Sequence, residues 1–457
     1  MSVVMKFGGT SVADPDAIGR LIDIVRRQRS RDNLPPVVVV SALAGVTDTL
    51  VAVARLAEDG DADRAASELR ALEERHRTMT TAVTRASRDA TLAFVKIEFE
   101  ELIGLVHALA VLHEVSPRSL DAVLAAGEVI SSRIVAAAFT DSGVASEWVD
   151  ARKVLVTDAE HNSAAPDFDL SGGRVRELLA PVAKDNKVAV LGGFIGASQN
   201  GVTTTLGRGG SDYSAAIFGS LLSVGEIQIW TDVDGMLTAD PRIVPQPRVV
   251  PQLSFAEASE LAYFGAKVLH PATIQPAVSR NIPVRILNSR NPDNPGTLIT
   301  GDWSAKASAE RRRGQLTAIA CKRDVTVVDI TSTRMLMAHG FLRRLFEVFE
   351  RFKTPVDVVT TSEVSVSVTV DDTRRLDAIV DNLRNFSDVN CEPEMAIICA
   401  VGENLRTDTT LFGRAVTALE RIPLRLVSQA ASRRNITFVL RNADVLAAMT
   451  RLHEAFF

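Results

Sequence analysis

The sequence predicts a doubly wound α/β sheet followed by two ferredoxin-like α+β units, and three observations carry that expectation. Short apolar runs alternate with helical periodicities over residues 1–300. Beyond residue 314 the elements shorten, and a β-α-β-β-α order occurs twice, in units of roughly 65 residues. Between the two regimes, residues 301–314 turn to Ser, Ala, Lys and a run of arginines. The expected division is 1–300 for the α/β domain, 301–314 for a linker, 315–386 for the first small unit and 387–457 for the second.

Composition narrows the function. At 457 residues the chain exceeds a single core, since domains average roughly 150 residues. An apolar share of 46% with 23% charged residues is that of an ordinary globular protein. Net charge is −5, so no global field favours nucleic acid or an anionic membrane. An anionic substrate must instead be met by local cations such as Lys6, Arg208 and Lys267. The three cysteines, Cys321, Cys391 and Cys399, lack metal-ligand spacing and cannot all pair, which suits a reducing compartment. The N-terminal residues run straight into a strand without a charged-then-apolar leader, and no apolar run approaches the roughly 20 residues that span a bilayer. These features predict a cytoplasmic protein.

Taken in order, residues 3–7 form a short buried-strand pattern ending at Gly8 and Gly9. Caps between Ser11 and Asp14 precede a helix over 15–29, where Ile18, Leu21, Ile22 and Val25 recur at helical spacing. Lys6 thus sits at a strand's carboxyl end beside a Gly-Gly turn, a candidate anion site whose alternative is a solvated lysine. Four valines at 37–40 read as a fully buried parallel strand. Ser41 and Thr47 lie in the loop after it. Residues 50–140 are mostly helical, and the charges between Glu58 and Arg88 read as solvated helix surface. Gly127-Glu128 is read as the start of a helix over 129–139, where a glutamate suits the macrodipole or holds a ligand ammonium. Strands follow at 146–149 and 187–191, helices at 253–264 and 267–281, and a strand at 283–287.

The richest stretch runs from Gly192 to Arg242. Thr203 to Thr205, Gly207, Gly209, Gly210 and Ser211 make a small-residue loop with Arg208 inside it, and Asp212 and a helical pattern follow. A loop of this kind feeding a helix N-terminus favours phosphate or carboxylate. A strand over 226–230 then opens into an acidic loop with Asp232, Asp234, Asp240 and Arg242. In the C-terminal region the predicted strands are 316–321, 325–330, 356–360, 364–370, 395–401, 424–428 and 436–440. The helices are 341–352, 374–383, 410–419 and 445–456. Arg311 to Arg313 read as solvated linker rather than a nucleic-acid patch.

The motifs KFGGTSV at 6–12, SALAGVTD at 41–48, GE at 127–128, GFIG at 193–196, TTTLGRGGSDYSA at 203–215, WTDVDG at 230–235, TADPR at 238–242 and FGAKVLHP at 264–271 follow one another in the chain. Together they resemble those of the aspartate kinases. The resemblance covers nearly the whole chain in order and spacing, and implies an amino-acid-kinase catalytic domain followed by two ACT regulatory domains. It implies transfer of the ATP γ-phosphoryl group to the side-chain carboxylate of L-aspartate, with Mg²⁺ bridging phosphate oxygens.

Such a reaction brings two anions together in line, so it needs positioning and neutralisation rather than a covalent intermediate. The resemblance assigns that neutralisation to Lys6 with the Gly8 and Gly9 amides, and the orienting of Lys6 or the substrate to Asp212. It puts the α-carboxylate on Arg208, flanked by Gly209 and Ser211, where a planar fork outperforms lysine. Glu128 holds the ammonium, and Ser41, Thr47 and Phe194 shape the pocket. Thr231, Asp232, Leu237, Arg242 and Lys267 serve the nucleotide; Leu237 departs from the aromatic residue common at this position. The metal ligands are unassigned.

The C-terminal half resembles the lysine-sensitive, single-function type, which implies feedback inhibition by lysine, with threonine as a second candidate, at a homodimer interface or in a tetramer. The implied effector residues are Met335, Gly340, Phe341, Leu342, Asp357, Ser362 and Glu363, with Gly340 to Leu342 at a helix start that suits a carboxylate. In the family, the strand at 316–322 often joins the second ACT unit. Two competing readings are a kinase of the same fold acting on another acid such as glutamate, and a catalytically silent amino-acid sensor. The FGAKVLHP segment and the tandem units oppose the first; the set Lys6, Glu128, Arg208 and Asp212 opposes the second.

Overall fold

The computed structural model describes residues 3–32, 34–265, 271–301, 316–332, 340–403, 405–407, 409–429 and 433–457. The chain forms two compact units. The first holds Met1–Met236, Pro251–Phe255 and Leu269–Asp302; the second holds Leu237–Val250, Ala256–Val268 and Trp303–Phe457. The boundary expected at residue 300 is therefore corrected for two earlier segments. Within the second unit, Thr238 O accepts from Ile319 N at 2.8 Å, and Ala239 and Val244 enter that unit's core.

In the first unit the strands are β1 (Val3–Phe7), β2 (Val37–Val40), β3 (Ser146–Trp148), β4 (Val156–Thr157), β5 (Val188–Gly192), β6 (Ile195–Ser198), β7 (Thr203–Thr205), β8 (Glu226–Thr231), β9 (Gln252–Ser254), β10 (Val284–Asn288) and β11 (Thr297–Thr300). Eight of them form one sheet in the order β3-β5-β2-β1-β8-β10-β11-β9, parallel except for the β10–β11 pair. The other three make a small sheet, β4-β6-β7. All four valines of β2 are fully buried, as a strand covered on both faces requires. β1 lies between β2 and β8: the chain builds the sheet outward through β2, β3 and β5 on one side and returns to β8 on the other. The carboxyl ends of these strands therefore open onto a crevice of the kind that holds ligands in such sheets.

Helices α1 (Pro15–Asp32), α2 (Val46–Glu58), α3 (Ala62–Val83), α4 (Arg88–Leu112) and α5 (Pro117–Asp141) share one apolar core with β1 and β2. The helix α5 is long and apolar enough to cross a membrane, but 89% of its most apolar window is buried inside the protein, as in a core helix. It begins at Ser116, whose Oγ accepts from Ser119 N at 3.1 Å, with Pro117 in the first turn. Glu128 therefore lies in mid-helix and not at a helix start. Gly127, which suggests a break in the sequence, is a packing device: a Cβ there would lie 2.9 Å from the Ala42 Cβ. Two further expectations are corrected. Gln252–Ser254 is strand, with helix only over Phe255–Tyr263, and after Pro271 the chain forms a 3₁₀ turn and the short helix Gln275–Ser279.

One buried group in this helical layer makes stability pH-dependent. His76 on α3 is fully buried, its Nδ1 lies 2.7 Å from Leu72 O, and its Nε2 has no partner. Burial pushes its pKa down to about 4. Because the unfolded imidazole takes up a proton near pH 6.5 and the folded one does not, stability falls as pH drops from that value toward 4. His76→Leu should recover about 2 kcal/mol of this acid-side loss in chemical denaturation near pH 4.5. Parallel acid limbs in both proteins would contradict the assignment.

The second unit carries β12 (Ala318–Thr331), β13 (Val359–Thr361), β14 (Ser365–Val370), β15 (Asp388–Val401), β16 (Leu426–Ser428) and β17 (Asn435–Arg441) in a single six-stranded sheet, β13-β14-β12-β15-β17-β16. The runs at 316–321 and 325–330 are one 14-residue strand with irregular register between Lys322 and Val327, not two strands. β15 is likewise continuous. The expected division at 386/387 is corrected accordingly. The C-terminal half of β12, β13, β14 and the start of β15 close one ferredoxin-like module. The rest of β15, β16 and β17 close the other, with Ala318–Lys322 as its outer strand. Each module has its own core, the first around Phe341, Leu345, Phe349 and Ile379 and the second around Leu411, Phe438 and Leu452.

Candidate active site

The carboxyl ends of β1, β2 and β5, the helix α5 and the segment after β7 surround a cavity of about 570 Å³, within the usual range for a small-molecule site. Lys6, Gly9, Ser41, Thr47, Glu128, Phe194, Arg208, Gly209, Ser211 and Asp212 all line it. Parallel pairing puts Lys6 opposite Val39 and Ile229, so the strand register delivers its ammonium to the rim. There Lys6 Nζ lies 2.6 Å from Asp212 Oδ1, and both side chains are largely shielded from solvent. Asp212 stands in the first turn of the helix Gly210–Leu222, which the left-handed Gly209 introduces. Gly8 turns the chain away from β1, its N–H donating to Trp230 O at 3.1 Å.

Phe194 occupies the left-handed region at φ 66°, an uncommon state for a bulky residue and a form of strain found at functional sites. Neighbours impose it. Ser214 Oγ accepts from Phe194 N at 2.9 Å, Phe194 O accepts from Leu206 N at 2.9 Å, and Gly210 leaves room for the ring, which a Cβ there would meet at 2.6 Å. Arg208 is exposed at the mouth of the cavity.

Glu128 is the electrostatic centre. It is fully buried, its Oε2 has no hydrogen-bond partner, and burial pushes its pKa up to about 8. The Ala42 backbone N–H and the nearby Lys6 ammonium oppose that rise without cancelling it. A macrodipole does not explain this residue; desolvation does. The cavity therefore holds a carboxyl group poised to ionise when a cation enters.

Sequence reasoning passed over Asn162 and Asp121 here, and gave Thr205 no role beyond membership of the small-residue loop. Asn162 and Thr205 line the cavity, and the fully buried Asp121 accepts hydrogen bonds from both, through Asn162 N and Thr205 Oγ1. Asp121 lies seven residues before Glu128 on α5, the spacing of two helical turns, and that was the available signal. Among the residues assigned to the nucleotide, Thr231 and Asp232 stand at the end of β8, with Thr231 Oγ1 donating to Asp232 Oδ1 at 3.3 Å. Leu237 and Arg242 belong to the second unit, where Leu237 bridges Val249 and Arg242 pairs with Asp240 at 2.5 Å. Lys267 lies outside the described residues. No group of three or more His, Cys, Asp or Glu is gathered for a metal among the described residues.

In the second unit, Gly340 at φ 85° introduces the helix Phe341–Arg351; Phe341 is buried and Leu342 exposed. Ser362 Oγ lies 2.7 Å from Ser365 Oγ in the β13–β14 turn, next to the exposed Glu363. Met335 lies outside the described residues. Asp357, nearly buried, already has an ammonium partner. Lys322 Nζ lies 2.9 Å from both its oxygens and 2.6 Å from Asp371, while Tyr263 Oη donates to Asp357 at 3.0 Å.

Comparison with known proteins agrees with this architecture. The sequence profile described as the Amino acid kinase family matches residues 1–288, and that of an ACT domain matches residues 398–456. The chain is 36% identical to Aspartokinase 1, chloroplastic, of Arabidopsis thaliana, over all of this chain and 80% of that one. It is 34% identical to Lysine-sensitive aspartokinase 3 of Escherichia coli K12, covering 100% and 99% respectively. Among solved structures it resembles E. coli aspartokinase III in complex with aspartate and ADP (R-state), with a TM-score of 0.85 at 34% identity and full coverage of both chains. It also resembles the same protein in complex with lysine and aspartate (T-state), with a TM-score of 0.82 at 34% identity, 100% of this chain and 99% of that one. Full-length relatives of this similarity, together with the kinase-family match, establish that the chain belongs to the aspartokinases.

Proposed function

We propose that the cavity binds L-aspartate for phosphorylation of its side-chain carboxylate by ATP, and that the second unit makes the enzyme subject to inhibition by lysine. The observation that carries the first part is the unpartnered, buried Glu128 carboxyl facing a cavity that also holds the Lys6–Asp212 pair and the Arg208 loop. An amino acid supplies what each lacks. Its ammonium ionises and pairs with Glu128, its α-carboxylate takes the Arg208 fork, and its side-chain carboxylate is left near Lys6. Lys6, with the Gly9 amide, neutralises the repulsion between that carboxylate and the γ-phosphoryl group, and Asp212 fixes the Lys6 ammonium; the Gly8 amide, expected to share this role, is already committed to Trp230 O. Ser41, Thr47 and Phe194 set the length of the acid accepted; Thr231 and Asp232 serve the ribose and phosphates.

Mg²⁺ would arrive with the nucleotide and supply charge neutralisation, held chiefly through phosphates and water as this ion usually is. We read the protein as cytoplasmic and homodimeric or tetrameric, in the lysine, threonine and methionine branch of amino-acid biosynthesis.

Lysine is supported as effector by the 34% identity to a lysine-sensitive relative and by Asp357, whose carboxylate already accepts a primary ammonium. An effector lysine would have to compete with Lys322 for that carboxylate. Lys322→Met is therefore expected to lower the lysine concentration for half-inhibition by about tenfold, a typical coupling magnitude. Asp357→Ala should raise it while leaving uninhibited turnover intact. The deciding assay is ATP turnover with L-aspartate and with L-glutamate, each with and without lysine or threonine. Activity on aspartate alone, suppressed by lysine, is the expected result; activity indifferent to lysine discards the effector, and no turnover with either acid discards the kinase reading of this cavity.

A further inference from the structure

We propose that Asn162 is a specificity-determining residue whose side-chain amide completes, with Glu128, the receptor for the substrate's α-ammonium, and that the buried Asp121 carboxylate is the positioning residue that holds it there. The inference rests on the reading of the cavity as an amino-acid site. Three buried side-chain acceptors in the cavity lining make no hydrogen bond, Glu128 Oε2, Asn162 Oδ1 and Asp212 Oδ1; the last is ion-paired with Lys6 Nζ at 2.6 Å, which leaves the first two without a partner. Buried acceptors are ordinarily satisfied, so two orphans on one cavity point to a ligand that brings donors. An ammonium brings three. The neutral amide adds an acceptor without adding negative charge to a site that must also admit two carboxylates and a phosphoryl group.

The fold spends much on placing Asn162. Its backbone is left-handed, φ 69°, a conformation asparagine tolerates better than most residues. Asp121 accepts from Asn162 N at 3.1 and 3.2 Å, from His161 Nδ1 at 2.6 Å and from Thr205 Oγ1 at 2.5 Å. Ala164 N also donates to Thr205 O at 2.9 Å, and a Cβ at Gly207 would lie 2.9 Å from Asn162 O. The Asn162 turn, the strand that leads to Arg208 and the helix that carries Glu128 therefore meet on one carboxylate. None of these contacts is local in sequence.

Asn162→Gly is the clean deletion, because glycine keeps the positive φ at no steric cost. It should raise KM for L-aspartate about tenfold while kcat and KM for ATP stay within about twofold, the signature of lost substrate binding alone. Competition by succinate, which has both carboxylates and no ammonium, should be unchanged. An unaltered KM, or equal losses for aspartate and succinate, would overturn the assignment. Asn162→Asp, which keeps the acceptor, should retain most of the affinity. Asp121→Asn should raise KM for aspartate to a similar degree, and adding Asn162→Gly to it should cause little further change, since both act through one contact. Fully additive effects, or a lower melting temperature with unmoved KM, would reduce Asp121 to a structural role. Glu128→Gln separates the levels: if it raises KM while Asn162→Gly does not, only this inference fails, and if neither moves KM the reading of the cavity fails.

Discussion

Lys6→Ala is expected to lower kcat about 10³-fold, with KM for ATP changed only a few-fold. The size follows from removing a pre-organised cation from a shielded site in which two anions must approach, where single electrostatic groups are worth about 10²–10³ or more in rate. The geometry supports the expectation, because Lys6 is held by the sheet register and by Asp212 at 2.6 Å and has no freedom to relax elsewhere. Since alanine also leaves the mostly shielded Asp212 unpaired, the melting temperature must be followed alongside. Lys6→Arg provides the second arm. It keeps the charge and the pairing but substitutes a broad fork for a compact ammonium, so folding should recover while most of the rate does not. Near-normal turnover in the alanine protein would remove Lys6 from the chemistry.

The second large effect concerns Glu128. With its pKa pushed up to about 8 in the free enzyme, the carboxyl is mostly protonated at neutral pH, and under the proposed reading the substrate ammonium has to ionise it. Aspartate binding should therefore release a proton below pH 8, and kcat/KM for aspartate should climb about tenfold per pH unit toward that value and level off beyond it. The same shift bears on stability with a defined sign. The folded protein holds a proton that the unfolded chain loses near pH 4.5, so the neutral carboxyl favours folding at low pH, and that contribution is lost as pH rises through 8. Glu128→Gln should flatten the pH profile, abolish proton release, cost about 10²-fold in kcat/KM and melt higher than the parent above pH 8. Calorimetry in buffers of differing ionisation enthalpy reads the proton directly. No release on binding would mean that Glu128 stays protonated and serves another end.

Much of this site was legible because its elements announce themselves locally. The valines of β2 can only be a doubly buried strand, and the loop Gly207–Ser211 before an apolar helical pattern can only be a turn into a helix N-terminus. The residue types there already narrow the chemistry: a lysine at a strand end, an arginine in a glycine loop, an aspartate in a helix's first turn and a glutamate in mid-helix. Glycine was the misleading letter. Gly127 reads as a break, and only the packed helix reveals that it makes room for Ala42. The two apolar runs at 316–321 and 325–330 read as two strands, because a polar interruption at Lys322 to Asp324 resembles a turn; pairing with β15 on both sides carries the strand through it.

What the sequence determined by itself was the order of elements and the inventory of reactive groups, since periodicity and turn chemistry act over a few residues. What only the tertiary structure decided was the state of those groups. Whether Glu128 is charged depends on how completely α5 and the β2 loop exclude water from it. Whether Asp357 is free depends on a lysine 35 residues away, and whether Asn162 faces a substrate depends on a carboxylate 41 residues away. Desolvation and long-range pairing are properties of the packed chain, and no local pattern encodes them.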